Sequence, residues 1–188
     1  MKTPTFEIIV AVDVTGGFGK AGKIPWTCKE DMKRFAVLSK EIGVCAMGKH
    51  TYMDMLNMRL EKEGAREKII EKGILPNRQS FVISSTLKQE DVIGATVVAD
   101  LQAVRNAFFD TDQRIAVIGG EKLYVQALAT ARKVHLTVID DCFDCDRFFP
   151  IDVLVKQFGI AAGSITLQTD VDGETETVRF VNYERIGS

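Results

Sequence analysis

Asp31 and Phe35 stand four residues apart in a stretch, 28–40, whose apolar positions recur at helical spacing. Carboxylate and phenyl therefore share a face, with Met32 beside them and Phe35, Ala36 and Leu38 available to bury it. An acid in a first turn complements the helix dipole. On an apolar face it also needs a partner. No basic residue of the helix clearly points to the same side, so the expected partner is a cationic or amidine-like ligand.

A second chemical signal is Gly17-Phe18-Gly19-Lys20-Ala21-Gly22, which matches G-x-G-x-x-G and follows a strand-like run. In a dinucleotide fingerprint those glycines open a helix directly, so that pyrophosphate meets its N-terminus. Here Lys23-Ile24-Pro25-Trp26 intervenes, and Thr27-Cys28-Lys29-Glu30 reads as a capping box with Thr27 as N-cap. The glycines are thus expected in a loop, 14–26, of the kind that covers a site. Gly16, Gly17, Gly19 and Gly22 would give it backbone freedom.

Other groups point to less. Cys142-x-x-Cys145 lacks the second pair of ligands that zinc requires, and His50 and His135 are far apart in sequence. No metal is expected. Met1-Lys2-Thr3-Pro4 leads into an apolar run without a secretory cleavage pattern, so Cys28, Cys45, Cys142 and Cys145 are expected as thiols in a reducing cytoplasm. A net charge of −2 offers no basic field for nucleic acid, and no apolar run is long enough to span a bilayer.

The elements that must position these residues follow from periodicity. Strands are expected at about 6–13, 43–48, 79–85, 95–99, 114–118 and 133–140, with helices at 28–40, 49–56, 101–109 and 120–131 between them. Alternation of this kind implies crossovers and a largely parallel sheet. Segments 159–169 and 175–186 read as strands joined by a turn at Asp172-Gly173, an antiparallel hairpin added to that sheet. The 188 residues suit one α/β domain, 1–188, with a mainly parallel central sheet and flanking helices. Residues 57–77 form a charged insertion carrying a surface helix at 65–72 that Gly73 closes.

An ordered set of segments resembles the dihydrofolate reductase family. It comprises Ile9-Val10-Ala11-Val12-Asp13, Gly17 through Trp26, Asp31 with Phe35, Ala46 through Tyr52, and Leu75-Pro76-Asn77-Arg78. It continues through Val82-Ile83-Ser84-Ser85, Val117 through Tyr124, Leu136-Thr137, Asp146 through Pro150, and Tyr183-Glu184-Arg185. The resemblance covers nearly the whole chain apart from 57–74.

The resemblance implies that the chain, as a monomer, moves a hydride from NADPH to C6 of dihydrofolate, with protonation at N5. Asp31 would grip N3 and the 2-amino group of the pterin, Thr137 would back that contact, and Trp26 would position a water. Ile9, Val10, Ala11, Met32 and Phe35 would line the pterin pocket, and Arg78 would bind the α-carboxylate of the glutamate tail. On the cofactor side it implies Ala11, Phe18, Gly19 and Ile24, then Lys49, His50 and Thr51 at a helix start. Ser84 and Ser85 would lie near the 2′-phosphate, and Ile118, Gly119, Gly120, Glu121, Lys122, Leu123 and Tyr124 along the dinucleotide.

The chain departs from the family pattern at several points. Ala99 stands where many relatives carry a basic residue, so preference for NADPH over NADH would rest on Lys49, Ser84 and Ser85. Glu121 replaces a small residue, Arg147 a threonine common in bacterial relatives, and Tyr52 a tryptophan. Two other readings are a pyrimidine reductase of riboflavin synthesis on the same fold, and a binding or assembly module without turnover. Pro25-Trp26 with Asp31 argues against the first, and the set Asp31, Thr137, Gly119-Gly120 against the second.

Overall fold

Residues 1–161 and 163–187 are described by the computed structural model; Ala162, inside the expected strand 159–169, lies outside them. The first strand, β1 (Thr5–Asp13), alternates strictly: Phe6, Ile8, Val10 and Val12 enter one core, while Ile9 enters a second on the opposite face. That alternation marks a central strand covered on both sides. A nine-stranded sheet forms around it, adding β3 (Val44–Gly48), β4 (Gln79–Ile83), β5 (Thr96–Val98), β6 (Arg114–Val117), β7 (Ala131–Ile139), β9 (Phe158–Ile160), β10 (Ile165–Val171) and β11 (Glu174–Arg185). Its order is β10-β11-β7-β1-β6-β3-β4-β5, with β9 also on β11. The pairs from β7 through β5 are parallel, and those of β11 with β7, β9 and β10 antiparallel. The Asp172-Gly173 turn has φ of 52° and 92°, which suits the twist of the hairpin it closes.

Helices α1 (Lys29–Ile42), α2 (Lys49–Leu60) and α3 (Ala65–Lys72) cover one face. Helices α4 (Leu101–Asn106), α5 (Glu121–Leu128) and α6 (Ile151–Gln157) contribute to the core on the other. The insertion helix α3 is exposed except at Ala65 and Ile69, and Ile69 is fully buried, so it is anchored by one apolar stripe.

Three expectations change. Thr27 is not the N-cap: α1 begins after Cys28, whose side chain makes no capping bond. Cys28 bridges Val171, and Thr27 N–H donates to Asp172 Oδ1 at 3.0 Å, so tertiary pairing overrides the local capping box. Within the segment expected as loop, β2 (Gly17–Gly19) forms a short antiparallel pair with β8 (Arg147–Phe148). Helix α6 occupies 151–157, and the expected strand 159–169 is divided between β9 and β10.

Candidate active site

Strand β1 pairs with β6 only from Thr5↔Arg114 to Ile8↔Val117, yet stays on β7 as far as Asp13↔Ile139. Beyond Ile8 the sheet therefore opens between β1 and the segment Ile118-Gly119-Gly120. A crevice at the carboxyl ends of parallel strands is where α/β sheets take ligands. Tyr124, buried in α5, donates from its phenol to the Ile9 carbonyl at 3.2 Å and closes the bottom of this opening.

Asp31 faces the crevice from the first turn of α1. Burial pushes its carboxyl above the ordinary range, opposed by the nearby Thr137 hydroxyl and by the Arg34 charge. Thr137 is buried on β7 opposite Ala11 of β1, on the face that α1 covers. Ile9 and Ala11 belong to that face, and Phe35 is half-buried against the same core. Val10 does not join them: its side chain enters the opposite core, so only its backbone can border the pocket. Met32 lies on the exposed flank of α1. Trp26 is buried and packs on Phe143 with ring centroids 5.0 Å apart.

Sequence reasoning missed Arg34. It stands three residues after Asp31, a spacing that places both on one side of a helix, and that spacing was the available signal. Its Nη1 donates to the Leu136 carbonyl and the Thr137 hydroxyl, both at 3.0 Å, and its Nη2 to Asn182 Oδ1 at 2.9 Å. Its guanidinium also lies 4.8 Å from the centre of the Phe180 ring. The expectation that no cation shares the face of Asp31 is therefore wrong.

Behind Arg34 the polar chain continues. His135 meets Asn182 Oδ1 through Nδ1 at 2.9 Å and Glu7 Oε2 through Nε2 at 2.7 Å. Arg114 grips both Glu7 oxygens, at 2.7 and 3.0 Å. Burial opposes the Glu7 charge, but the bonds from His135 and then Arg114 prevail and hold its pKa at about 2.

At the far end of α1, the buried Ser39 hydroxyl accepts from Arg78 Nη1 at 2.7 Å, and Pro76 carbonyl accepts from Nε at 3.1 Å. Asn77, with φ of 62°, makes the turn that presents this arginine. A guanidinium has further N–H donors beyond those two. From Asp31 to Ser39 the helix rises about 12 Å, so one helix separates a carboxylate from a fixed cation.

Across the crevice the starts of α2 and α5 face each other. Gly48 N–H donates to the Gly119 carbonyl at 2.9 Å, and Gly120 N–H to Thr51 Oγ1 at 3.2 Å. A Cβ at Gly119, where φ is 152°, would come within 2.6 Å of Thr51 Oγ1, so only glycine fits. First-turn amides lack intrahelical acceptors, and two such sets aimed together suit a pyrophosphate. Leu123 is buried, whereas His50, Glu121 and Lys122 are exposed at the rim. Lys49 Nζ donates to Thr86 Oγ1 at 3.1 Å, while Ser84 Oγ accepts from the Thr86 and Leu87 amides. Ser84 thus shapes the turn, and Ser85, exposed, and Thr86 offer hydroxyls beside Lys49.

The 14–26 segment is less free than expected. Asp13, buried, accepts from Thr15 N and Oγ1, Gly17 N and Phe143 N. Gly19 and Gly16 carbonyls accept from Asp146 and Phe149 amides. Gly17 has no positive φ; it is required because a Cβ there would collide with Cys145, whose Sγ would be 2.7 Å away. Phe18 packs edge-on against Tyr124 with centroids 5.4 Å apart. Ile24 is exposed at the tip. Among the described residues, no cluster of three or more His, Cys, Asp or Glu could hold a metal, and no helix is long and apolar enough to cross a membrane.

The dihydrofolate reductase family model matches residues 5–185. A dihydrofolate reductase of Buchnera aphidicola is 34% identical over 147 residues, covering 77% of this chain and 78% of that protein. A bifunctional dihydrofolate reductase-thymidylate synthase of Paramecium tetraurelia is 25% identical over 182 residues, 96% of this chain. The chain spans 33% of that longer protein. Among solved structures, dihydrofolate reductase from Enterococcus faecalis complexed with NADP(H) superposes with a TM-score of 0.77 at 19% identity, over 97% of this chain and 96% of that one.

Proposed function

The chain belongs to the dihydrofolate reductase family, and we propose that it performs the family's reaction in the Asp31 crevice: reduction of 7,8-dihydrofolate to tetrahydrofolate with NADPH. The observation that carries this reading is the half-buried Asp31 carboxyl, beside the Thr137 hydroxyl, where β1 and β6 part. An ionised carboxylate there accepts from N3–H and the 2-amino group of a pterin, a bidentate charge-assisted pair that fixes the ring. Arg78, about 12 Å along α1, takes the α-carboxylate of the glutamate tail.

The cofactor's demands fit the chain. The α2 and α5 termini hold the pyrophosphate, and Lys49 with Ser85 and Thr86 faces the 2′-phosphate. Bound NADPH supplies the hydride that pterin C6 accepts, leaving NADP⁺. Ile118, Tyr124 and Phe18 would wall the nicotinamide side, and Ala11 would border both rings where they meet for hydride transfer. Asp31 holds the ring edge remote from N5, so water delivers the N5 proton while Trp26 and the 14–26 segment limit access. The chain acts as one domain, 1–188, in which 57–77 is a charged insertion. It works as a monomer in the cytoplasm without nucleic acid or membrane partners; a net charge of −2 offers no basic field for nucleic acid.

The test is absorbance of NADPH oxidation with dihydrofolate, beside the same assay with NADH. Turnover with NADPH, and weaker turnover with NADH, is expected. Absence of dihydrofolate-dependent oxidation would favour a binding module on the same fold.

A further inference from the structure

Arg34 is an unusual neighbour for a ligand-binding carboxylate. Its cation, which bonds Thr137 Oγ1, and the Asp31 carboxyl, whose ionisation that hydroxyl favours, rise three residues apart on α1. Because a guanidinium only donates, the 3.0 Å bond from Nη1 occupies a lone pair of that oxygen. The Thr137 proton is then directed to the remaining acceptor, the Asp31 carboxylate. The other contacts hold the guanidinium still: Leu136 carbonyl from β7, Asn182 Oδ1 from β11 and the Phe180 ring below. Asn182 is fixed in turn by His135, which Glu7 and Arg114 anchor.

We propose that Arg34 is a positioning residue of the pterin site: it fixes the Thr137 hydroxyl as a donor to Asp31 and is the counter-cation that keeps the Asp31 carboxylate ionised as ligands exclude water. The role in catalysis rests on the assignment of Asp31 to the pterin; the electrostatic coupling of Asp31 and Arg34 does not. The other groups facing Asp31 cannot do this work. Tyr124 from α5 and the Cys28 thiol before α1 are each pushed further toward their neutral forms by burial and by the Asp31 charge. Thr137 is neutral. Lysine at position 34 would keep the charge but not the planar fork that reaches three acceptors.

The experiment is titration of the Asp31 carboxyl carbon by NMR in the ligand-free protein, for wild type, Arg34→Met, Arg34→Lys, Thr137→Val and the double variant Arg34→Lys/Thr137→Val. Arg34→Met is expected to make Asp31 bind its proton roughly tenfold more tightly, the order by which an opposite charge one helical turn away favours ionisation. An unchanged titration would reduce Arg34 to a clamp between strands and overturn the proposal. If Arg34→Met does not fold, the other three decide. Once Thr137→Val removes the hydroxyl, Arg34→Lys should move the titration no further, whereas additive shifts would overturn the route through Thr137. NADPH turnover with dihydrofolate is followed in parallel. A wild type without turnover would sink the reductase reading while leaving the carboxyl titration interpretable.

Discussion

Ser39 Oγ and Arg78 Nη1 are joined by a 2.7 Å hydrogen bond that ties the last turn of α1 to the loop before β4. It aligns an arginine with the helix whose first turn carries Asp31, so ring site and tail site share one rigid ruler. Arg78→Leu should weaken dihydrofolate about a hundredfold, the usual loss for a charge-assisted contact of a few kcal/mol. A pterin lacking the glutamate tail should lose little. Ser39→Ala should give a smaller loss with the same selectivity for the tail. Equal weakening of both ligands, measured by fluorescence titration, would make Arg78 a structural residue.

Asp31→Asn should fold, yet turn over roughly 10²–10⁴-fold more slowly, the span expected for a positioned ionisable group. The pH dependence follows from burial holding the Asp31 pKa above the ordinary carboxylate range. As pH falls, the acceptor carboxylate is lost earlier than an exposed aspartate would be. Dihydrofolate binding to wild type should therefore weaken while pH is still above the usual carboxylate range, and binding to Asp31→Asn should stay flat. Parallel profiles for the two proteins would remove Asp31 from the pterin site.

Glu7 gives a stability prediction. Its pKa is depressed from 4.5 to about 2 because the His135 and Arg114 bonds outweigh burial. A depressed carboxyl contributes stability that is complete above its unfolded value and disappears as pH falls through the folded one. The window therefore runs from about 4.5 down to about 2. The contribution is about 3 kcal/mol. Wild type should exceed Glu7→Gln by this order near neutral pH in urea unfolding, with the gap closing across that window. A gap that ignores pH would mean that the Glu7 charge does not contribute through this pair.

What the sequence conveyed and what it hid have physical causes. The alternation of β1 and the Asp172-Gly173 turn are period-two and local, so both are legible without tertiary information. The acid at Asp31 was legible as a type at a spacing, and the paired glycines at Gly119-Gly120 through the family resemblance, although not as neighbours across a crevice. Val10 was misplaced because a family resemblance gives positions along a strand, whereas pleat decides the face. Arg34 was overlooked because a long cation on a helix ordinarily reads as solvated; only β7 and β11 supply the acceptors that draw it inward. The β2 and β8 strands are too short for any period, and Thr27 satisfied a local rule that the Cys28–Val171 bridge then overrode.

The last prediction concerns the cover of the crevice. Residues 16–19 are already held, by Asp13 at one side and by the 146–149 backbone at the other. The freedom needed for a lid is therefore confined to 20–25, where Lys20 and Lys23 exchange backbone bonds around a turn, Gly22 has φ of 82° and Ile24 is exposed. The Lys20–Asp144 ion pair, at 2.7 Å, is exposed and adds little restraint. With NADPH and a folate ligand both bound, amide exchange should slow across 20–25 and change little at 16–19. Gly17→Ala should slow hydride transfer, because the new methyl displaces Cys145 and with it the base of the lid. Adding Cys145→Gly should restore much of the rate by making room. Thermal unfolding measured alongside separates loss of the lid from loss of the fold. Unchanged exchange at 20–25 on ligand binding, together with normal turnover in Gly17→Ala, would show this segment to be a connector only.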